Sequence, residues 1–256
     1  MRTYTAITSQ NESYYRKIGR DCISTFLNFW PKNISIELWA EGFSPDIKDD
    51  RLITKDFEKV RNDLDNFLEL IYPHVPHGPV GKDLFSAYKF SWIKGHVITA
   101  SLEECKSDVF IWLDSDIITN KKIPLDFIEN LLPSDTLSLD IPAGGKVKGK
   151  EAETGFFMVN MNDKNINVFI DTFKRCHNTL DILKVSRKLD TGVWWEAIHN
   201  AQKLGSKIKH LETSVDSIIP FQHTVLNEYL THWVTKVNKS NYQKGRKENI
   251  MEKNIQ

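Results

Sequence analysis

Asp114-Ser115-Asp116 is the triplet in this 256-residue chain whose residue types and spacing offer the most chemistry. Two carboxylates one residue apart, at a strand end, reach the same cation. A hard divalent ion such as Mn²⁺ or Mg²⁺ prefers oxygen ligands and typically takes one or two carboxylates plus phosphate oxygens. Such an ion neutralises the charge that develops on a leaving diphosphate. Ser115, between the two acids, is assigned to the same phosphate-side contact.

Acidic pairs of this spacing arise by chance, so the meaning of the triplet depends on what delivers it. Asp108–Leu113 reads as a nearly unbroken apolar strand, the pattern of one buried on both faces of a parallel sheet. In open α/β sheets ligands sit beyond the carboxyl ends of such strands. Further elements support a layered α/β fold. Thr3–Thr8 is a β-branched strand and Ser9-Gln10-Asn11 a polar loop able to cap a helix. Tyr15, Ile18, Cys22, Phe26 and Phe29 then recur at helical spacing until Pro31. Ile34–Ala40 is a second strand, so the opening is a parallel pair with a right-handed crossover.

The spacing of Phe57, Val60, Leu64, Phe67 and Leu70 predicts a helix over Ile53–Tyr72. The proline-rich 73–79 stretch breaks it, and a helix resumes from Asp83 toward Cys105. Strands are expected at Thr136–Leu139 and Thr154–Met161, a Gly- and Lys-rich loop from Pro142 to Lys150, and helices at Ile166–Cys176 and Asp190–Leu204. Trp92 and the pair Trp194-Trp195 either fill a core or offer faces to a sugar.

Acidic and basic residues balance at 34 each, so no global field draws the chain to nucleic acid. No run approaches the roughly 18 apolar residues of a membrane span, and residues 1–8 lack the apolar core of a signal peptide. Three distant cysteines make neither a disulfide framework nor a CxxC site, which fits a reducing, cytoplasmic setting.

Several segments, in order, resemble a GT-A-fold, DxD-containing nucleotide-sugar glycosyltransferase of the small bacterial and phage type. They are the strand Tyr4–Thr8, the strand ending Leu38-Trp39-Ala40-Glu41, the helix Asp83–Lys89, the DxD strand Ile111–Asp116, Glu153-Thr154-Gly155-Phe156 and Leu189-Asp190. The resemblance implies a single GT-A-like, Rossmann-like α/β domain over 1–235, with a mixed, mostly parallel central sheet flanked by helices. Residues of about 1–120 would form the nucleotide-sugar-binding half and about 121–235 the acceptor half, with a basic tail at 236–256.

The implied activity is metal-dependent transfer, of hexosyltransferase type, from a nucleotide-diphosphate sugar to a hydroxyl of a glycan or other polar acceptor, with a UDP-sugar favoured as donor. Thr8, Glu41, Lys89, Asp114, Ser115 and Lys236 would contact the donor. Asp114 and Asp116 would hold Mn²⁺ or Mg²⁺. A C-terminal histidine would complete that site, and His232 matches the family ending better than His223. Glu153 and Asp190 are both candidates to receive the acceptor proton, since transfer by inversion needs a carboxylate within hydrogen-bond reach. Two other readings remain open at this point: a haloacid-dehalogenase-type phosphatase using Asp114 and Asp116, and a non-catalytic carbohydrate-binding protein.

Overall fold

Alternating apolar residues organise the molecule. In the computed structural model, which describes residues 2–75, 84–142, 152–213 and 220–233, Tyr4–Asn11 forms β1. Asn11 caps the next segment through its side chain, accepting from the Tyr14 backbone N–H at 2.8 Å. That segment is α1 (Glu12–Tyr14), a π-helical turn at Tyr15–Gly19, and α2 (Arg20–Phe29). β2 (Ile34–Glu41), β3 (Leu52–Asp56), α3 (Glu58–Ile71) and α4 (Leu84–Glu104) follow, then β4 (Val109–Leu113), β5 (Ile117–Thr119) and α5 (Leu125–Leu131). The second half comprises β6 (Ser138–Pro142), β7 (Ala152–Asn160), α6 (Ile166–Asn178), α7 (Asp190–Lys203), β8 (Ile208–His210) and β9 (Leu230–His232).

Among the described residues the main sheet has seven strands in the order β3-β2-β1-β4-β7-β6-β8. Pairing is parallel from β3 through β4 and between β6 and β8, and antiparallel where β7 meets β4 and β6. β4 shows why the sheet is a middle layer. Val109, Ile111 and Leu113 pack with Ile23, Phe26 and Leu27 of α2, whereas Phe110 and Trp112 join the core built by α3, α4, α6 and α7. Both faces are dry, as the unbroken apolar run requires.

The sheet corrects one sequence expectation. Leu52–Asp56 is an edge strand and not the first turn of a helix, which begins only at Glu58. Leu52 and Ile53 fit a helical apolar pattern, but pairing of Leu52 beside Ile36 wins because it satisfies backbone groups along β2. The strand's edge position leaves Ile53 42% exposed. Small shifts occur elsewhere: β6 begins at Ser138 and β7 at Ala152. Trp92 and Trp194 are fully buried in the core, which answers the question their aromatic faces raised. The loop lysines from 143 to 150 and the tail from 234 lie outside the described residues.

One buried pair makes this core sensitive to acid. His96 and His177 each donate Nδ1–H to the carbonyl four residues earlier, at 2.8 and 2.9 Å, and stand 5.5 Å apart ring to ring. Gly95 in mid-helix is explained by the same packing, because a Cβ there would collide with the His177 ring. Burial, and secondarily the neighbouring His96, push His177 down to about 3. The unfolded chain therefore binds a proton below about pH 6.5 that the folded chain refuses until about pH 3. Stability is fully present above the unfolded value and falls as pH drops through this window, at about 1.4 kcal/mol per unit. Denaturant titrations at pH 7 and pH 4.5 should show a loss that is smaller in His177→Leu by about 2–3 kcal/mol.

Candidate functional site

Strand order reverses direction between β1 and β4: the chain goes from β1 outward to β2 and β3, then returns to place β4 on the other side. Crossovers diverging from two adjacent parallel strands leave a crevice at their carboxyl ends. A cavity of about 500 Å³ opens there. Ser9, Gln10 and Asn11 at the end of β1, Glu41 at the end of β2, and Asp114, Ser115 and Asp116 after β4 line it.

Each carboxylate is held at one oxygen and turns the other toward a common centre. Asp114 Oδ1 accepts from Trp112 Nε1 at 2.8 Å and pairs with Lys94 Nζ at 2.7 Å. Asp116 Oδ2 accepts the Tyr14 hydroxyl at 2.9 Å. The remaining oxygens, Asp114 Oδ2 and Asp116 Oδ1, stand 3.8 and 3.2 Å from His232 Nε2. Ligand atoms of all three residues lie within 4.8 Å of one another, a donor set of oxygens and one imidazole nitrogen that suits Mn²⁺ or Mg²⁺. His232 Nδ1 is buried with no hydrogen-bond partner, and Glu153 Oε1 stands 3.7 Å from it. Burial opposes a charged His232, but the hydrogen bond with Asp116 and the surrounding carboxylates outweigh it and raise its pKa.

His232 arrives by a pairing too short to read in sequence. β9 runs antiparallel to β5, setting His232 beside Ile117, and the Trp233 N–H donates to the Asp116 carbonyl at 3.1 Å. The ring then needs room. Gly155 on β7 supplies it, since a Cβ there would collide with the imidazole. The Gly155 carbonyl also accepts the Asp114 N–H at 2.8 Å, extending the β4–β7 ladder to the triplet.

Behind Asp114 lies a second charged layer. Lys94, on α4, pairs with Asp190 Oδ2 at 3.1 Å and donates to the Thr154 carbonyl at 2.8 Å. Asp190 also accepts from Ser91 Oγ at 2.5 Å and Thr154 Oγ1 at 2.6 Å. Burial works against both charges. Asp114 and Asp190 nonetheless raise the Lys94 ammonium above its ordinary value. Lys94 and the two hydroxyls likewise hold the Asp190 carboxyl below the usual range.

The sequence-expected residues sort as follows. Asp114, Ser115, Asp116, His232, Glu153 and Glu41 all line the cavity. His223 falls in a separate 3-10 turn, Pro220–His223, and does not line it. Thr8 is fully buried on the face of β1 that packs under the helix, and its neighbours Ser9, Gln10 and Asn11 meet the cavity instead. Asp190 sits behind the cavity wall, reaching it through Lys94. Lys89 is exposed and outside the lining. Lys94 occupies the site in its place: five residues on a helix turn the side chain by about 140°. The signal for Lys94 was present as the one charge within Trp92-Ile93-Lys94-Gly95, a stretch otherwise suited to burial. Lys236 lies outside the described residues.

No family model matches the chain, and no curated protein matches it significantly in sequence. Solved structures do match. The chain is similar to a glycosyltransferase involved in the glycosylation of the major capsid of PBCV-1, with TM-score 0.50 and 12% identity over 93% of this chain and 99% of that one. Mouse xyloside xylosyltransferase 1 in its apo form aligns with TM-score 0.48 and 10% identity over 82% of this chain and 85% of that one. The fold is a GT-A-like α/β domain with a mixed, mostly parallel sheet flanked by helices. Among the described residues no helix is long and apolar enough to cross a membrane.

Proposed function

We propose that this chain is a metal-dependent glycosyltransferase, of hexosyltransferase type, moving a sugar from a nucleotide-diphosphate sugar to a hydroxyl of a glycan or other polar acceptor. One observation carries the reading: Asp114 Oδ2 and Asp116 Oδ1 both face His232 Nε2 at the floor of a cavity between β1 and β4. A bound Mn²⁺ or Mg²⁺ would supply charge neutralisation for the departing diphosphate. Asp114, Asp116 and His232 would hold it, and Tyr14 and Trp112 fix the two carboxylates in orientation. Ser9, Asn11, Glu41 and Ser115 line the cavity; on this reading the first three would contact the nucleotide and Ser115 the phosphates. A UDP-sugar is the favoured donor.

Lys94 pairs with Asp114 at 2.7 Å, and Asp114 and Asp190 together favour its charged form. Asp190 anchors that lysine, so its part in the reaction is to position Lys94. Both groups are fixed before the donor arrives, which spares reorganisation when charge develops.

The test is a panel of nucleotide-sugars incubated with the protein in Mn²⁺ or in EDTA, reading nucleoside diphosphate release. Metal-dependent release from one donor, UDP-sugars first, is the expected result. Inorganic phosphate released from simple esters, with no nucleotide consumed, would instead establish a phosphatase. Sugar binding with no turnover would leave a carbohydrate-binding protein.

A further inference from the structure

The geometry points to a positioning role for Glu153. We propose that its carboxylate holds the proton on His232 Nδ1, so that Nε2 presents its lone pair to the cation carried by Asp114 and Asp116. The inference rests on the metal reading above and assigns Glu153 a task other than taking the acceptor's proton.

A neutral imidazole has one protonated nitrogen and one bare nitrogen, and only the bare one ligates. Here Nε2 faces both aspartates, and a cation held between them would take its lone pair, which leaves the proton on Nδ1. Nδ1 is buried and makes no hydrogen bond, while Glu153 Oε1 stands 3.7 Å away. That gap is beyond hydrogen-bond length, and a movement of about 0.5 Å closes it. A small rotation of the Glu153 carboxylate about its hydrogen bond to Gly155 is enough to provide such a shift.

Glu153 is prepared for this contact. Its Oε1 accepts the Gly155 N–H at 3.0 Å, which pins the carboxylate against its own strand. A carboxylate oxygen has capacity for a second donor, so the Nδ1–H is not excluded. Glu153 and Gly155 are two apart on β7 and so share one face of the strand. The ring of His232 lies over Gly155, where a Cβ would stand, and the Phe221 ring packs against it edge-on at 5.3 Å. The imidazole plane is therefore clamped, and what remains to be fixed is which nitrogen bears the proton. Metal-bound histidines usually donate their second N–H to a carboxylate or carbonyl, and loss of that partner typically weakens metal binding 10- to 100-fold.

Mn²⁺ dissociation constants for the full chain without donor, measured by electron paramagnetic resonance, test the proposal directly. Glu153→Ala should raise the constant about 10- to 100-fold. Glu153→Gln should raise it less, because an amide oxygen still accepts the Nδ1–H. Turnover of both variants should recover at saturating Mn²⁺. In a His232→Ala background the Glu153→Ala effect on Mn²⁺ binding should vanish, which a general structural role for Glu153 would not predict. An unchanged Mn²⁺ constant in Glu153→Ala, with turnover lost even at saturating metal, would overturn the proposal and make Glu153 the proton acceptor. If Glu153→Ala fails to fold, the Glu153→Gln constant decides, an unchanged value with lost turnover having the same meaning. Wild-type protein that binds no Mn²⁺ would sink the metal reading itself, a failure distinct from that of the Glu153 assignment.

Discussion

Asp116→Asn is expected to lower metal-dependent nucleoside diphosphate release by about 10²- to 10³-fold, since a cation's stabilisation of developing charge amounts to several kcal/mol and each 1.4 kcal/mol is tenfold in rate. The same change should weaken Mn²⁺ binding in the absence of donor. Its fold should survive, because the asparagine oxygen still accepts the Tyr14 hydroxyl that Asp116 Oδ2 accepts at 2.9 Å. The melting temperature without metal should change little, as relief of the crowding between the two carboxylates is offset by loss of the charged contact with His232. Wild-type release rates from Asp116→Asn would remove the triplet from the reaction altogether.

Lys94→Met is the second large effect, and it falls on stability. Lys94 is the cation shared by Asp114 and Asp190, at 2.7 and 3.1 Å. Asp190 is buried, so removing its partner strands a charge, which costs about 3–5 kcal/mol. Ser91 and Thr154 soften the loss by their hydrogen bonds but carry no compensating charge. Urea denaturation should therefore show a much earlier midpoint for Lys94→Met. The double variant Lys94→Met/Asp190→Asn should recover a large part of it, because the stranded charge is gone. A double variant no more stable than Lys94→Met would show that the lysine's aliphatic stem, and not its charge, holds this corner together.

Much of this arrangement was legible in the sequence, and the reasons are local. Val109–Leu113 announced a doubly buried strand because every one of its five residues is apolar, and the triplet's place at its end followed from sheet geometry alone. His232 was legible only through resemblance. The β5–β9 pairing that carries it to Asp116 involves three residues on each strand, below the length at which alternation can be recognised. Lys94 was missed for a related reason. A lysine on a helix reads as solvated until the opposing elements are known, and here both opposing acids come from distant segments, at 114 and 190. Leu52–Asp56 misled because an exposed edge strand lacks the buried alternation that marks a strand, so the apolar spacing of the helix after it dominated.

The β5–β9 pairing also sets an order of events during synthesis. A ribosome delivers both aspartates just over a hundred residues before it delivers His232, and β5 lacks its pairing partner until β9 has been made. A nascent or prematurely terminated chain thus carries the acidic pair without its imidazole. Such a fragment lacks the imidazole that stands beside Asp116 in the full chain, so under the proposed reading it would bind Mn²⁺ more weakly than the full chain does.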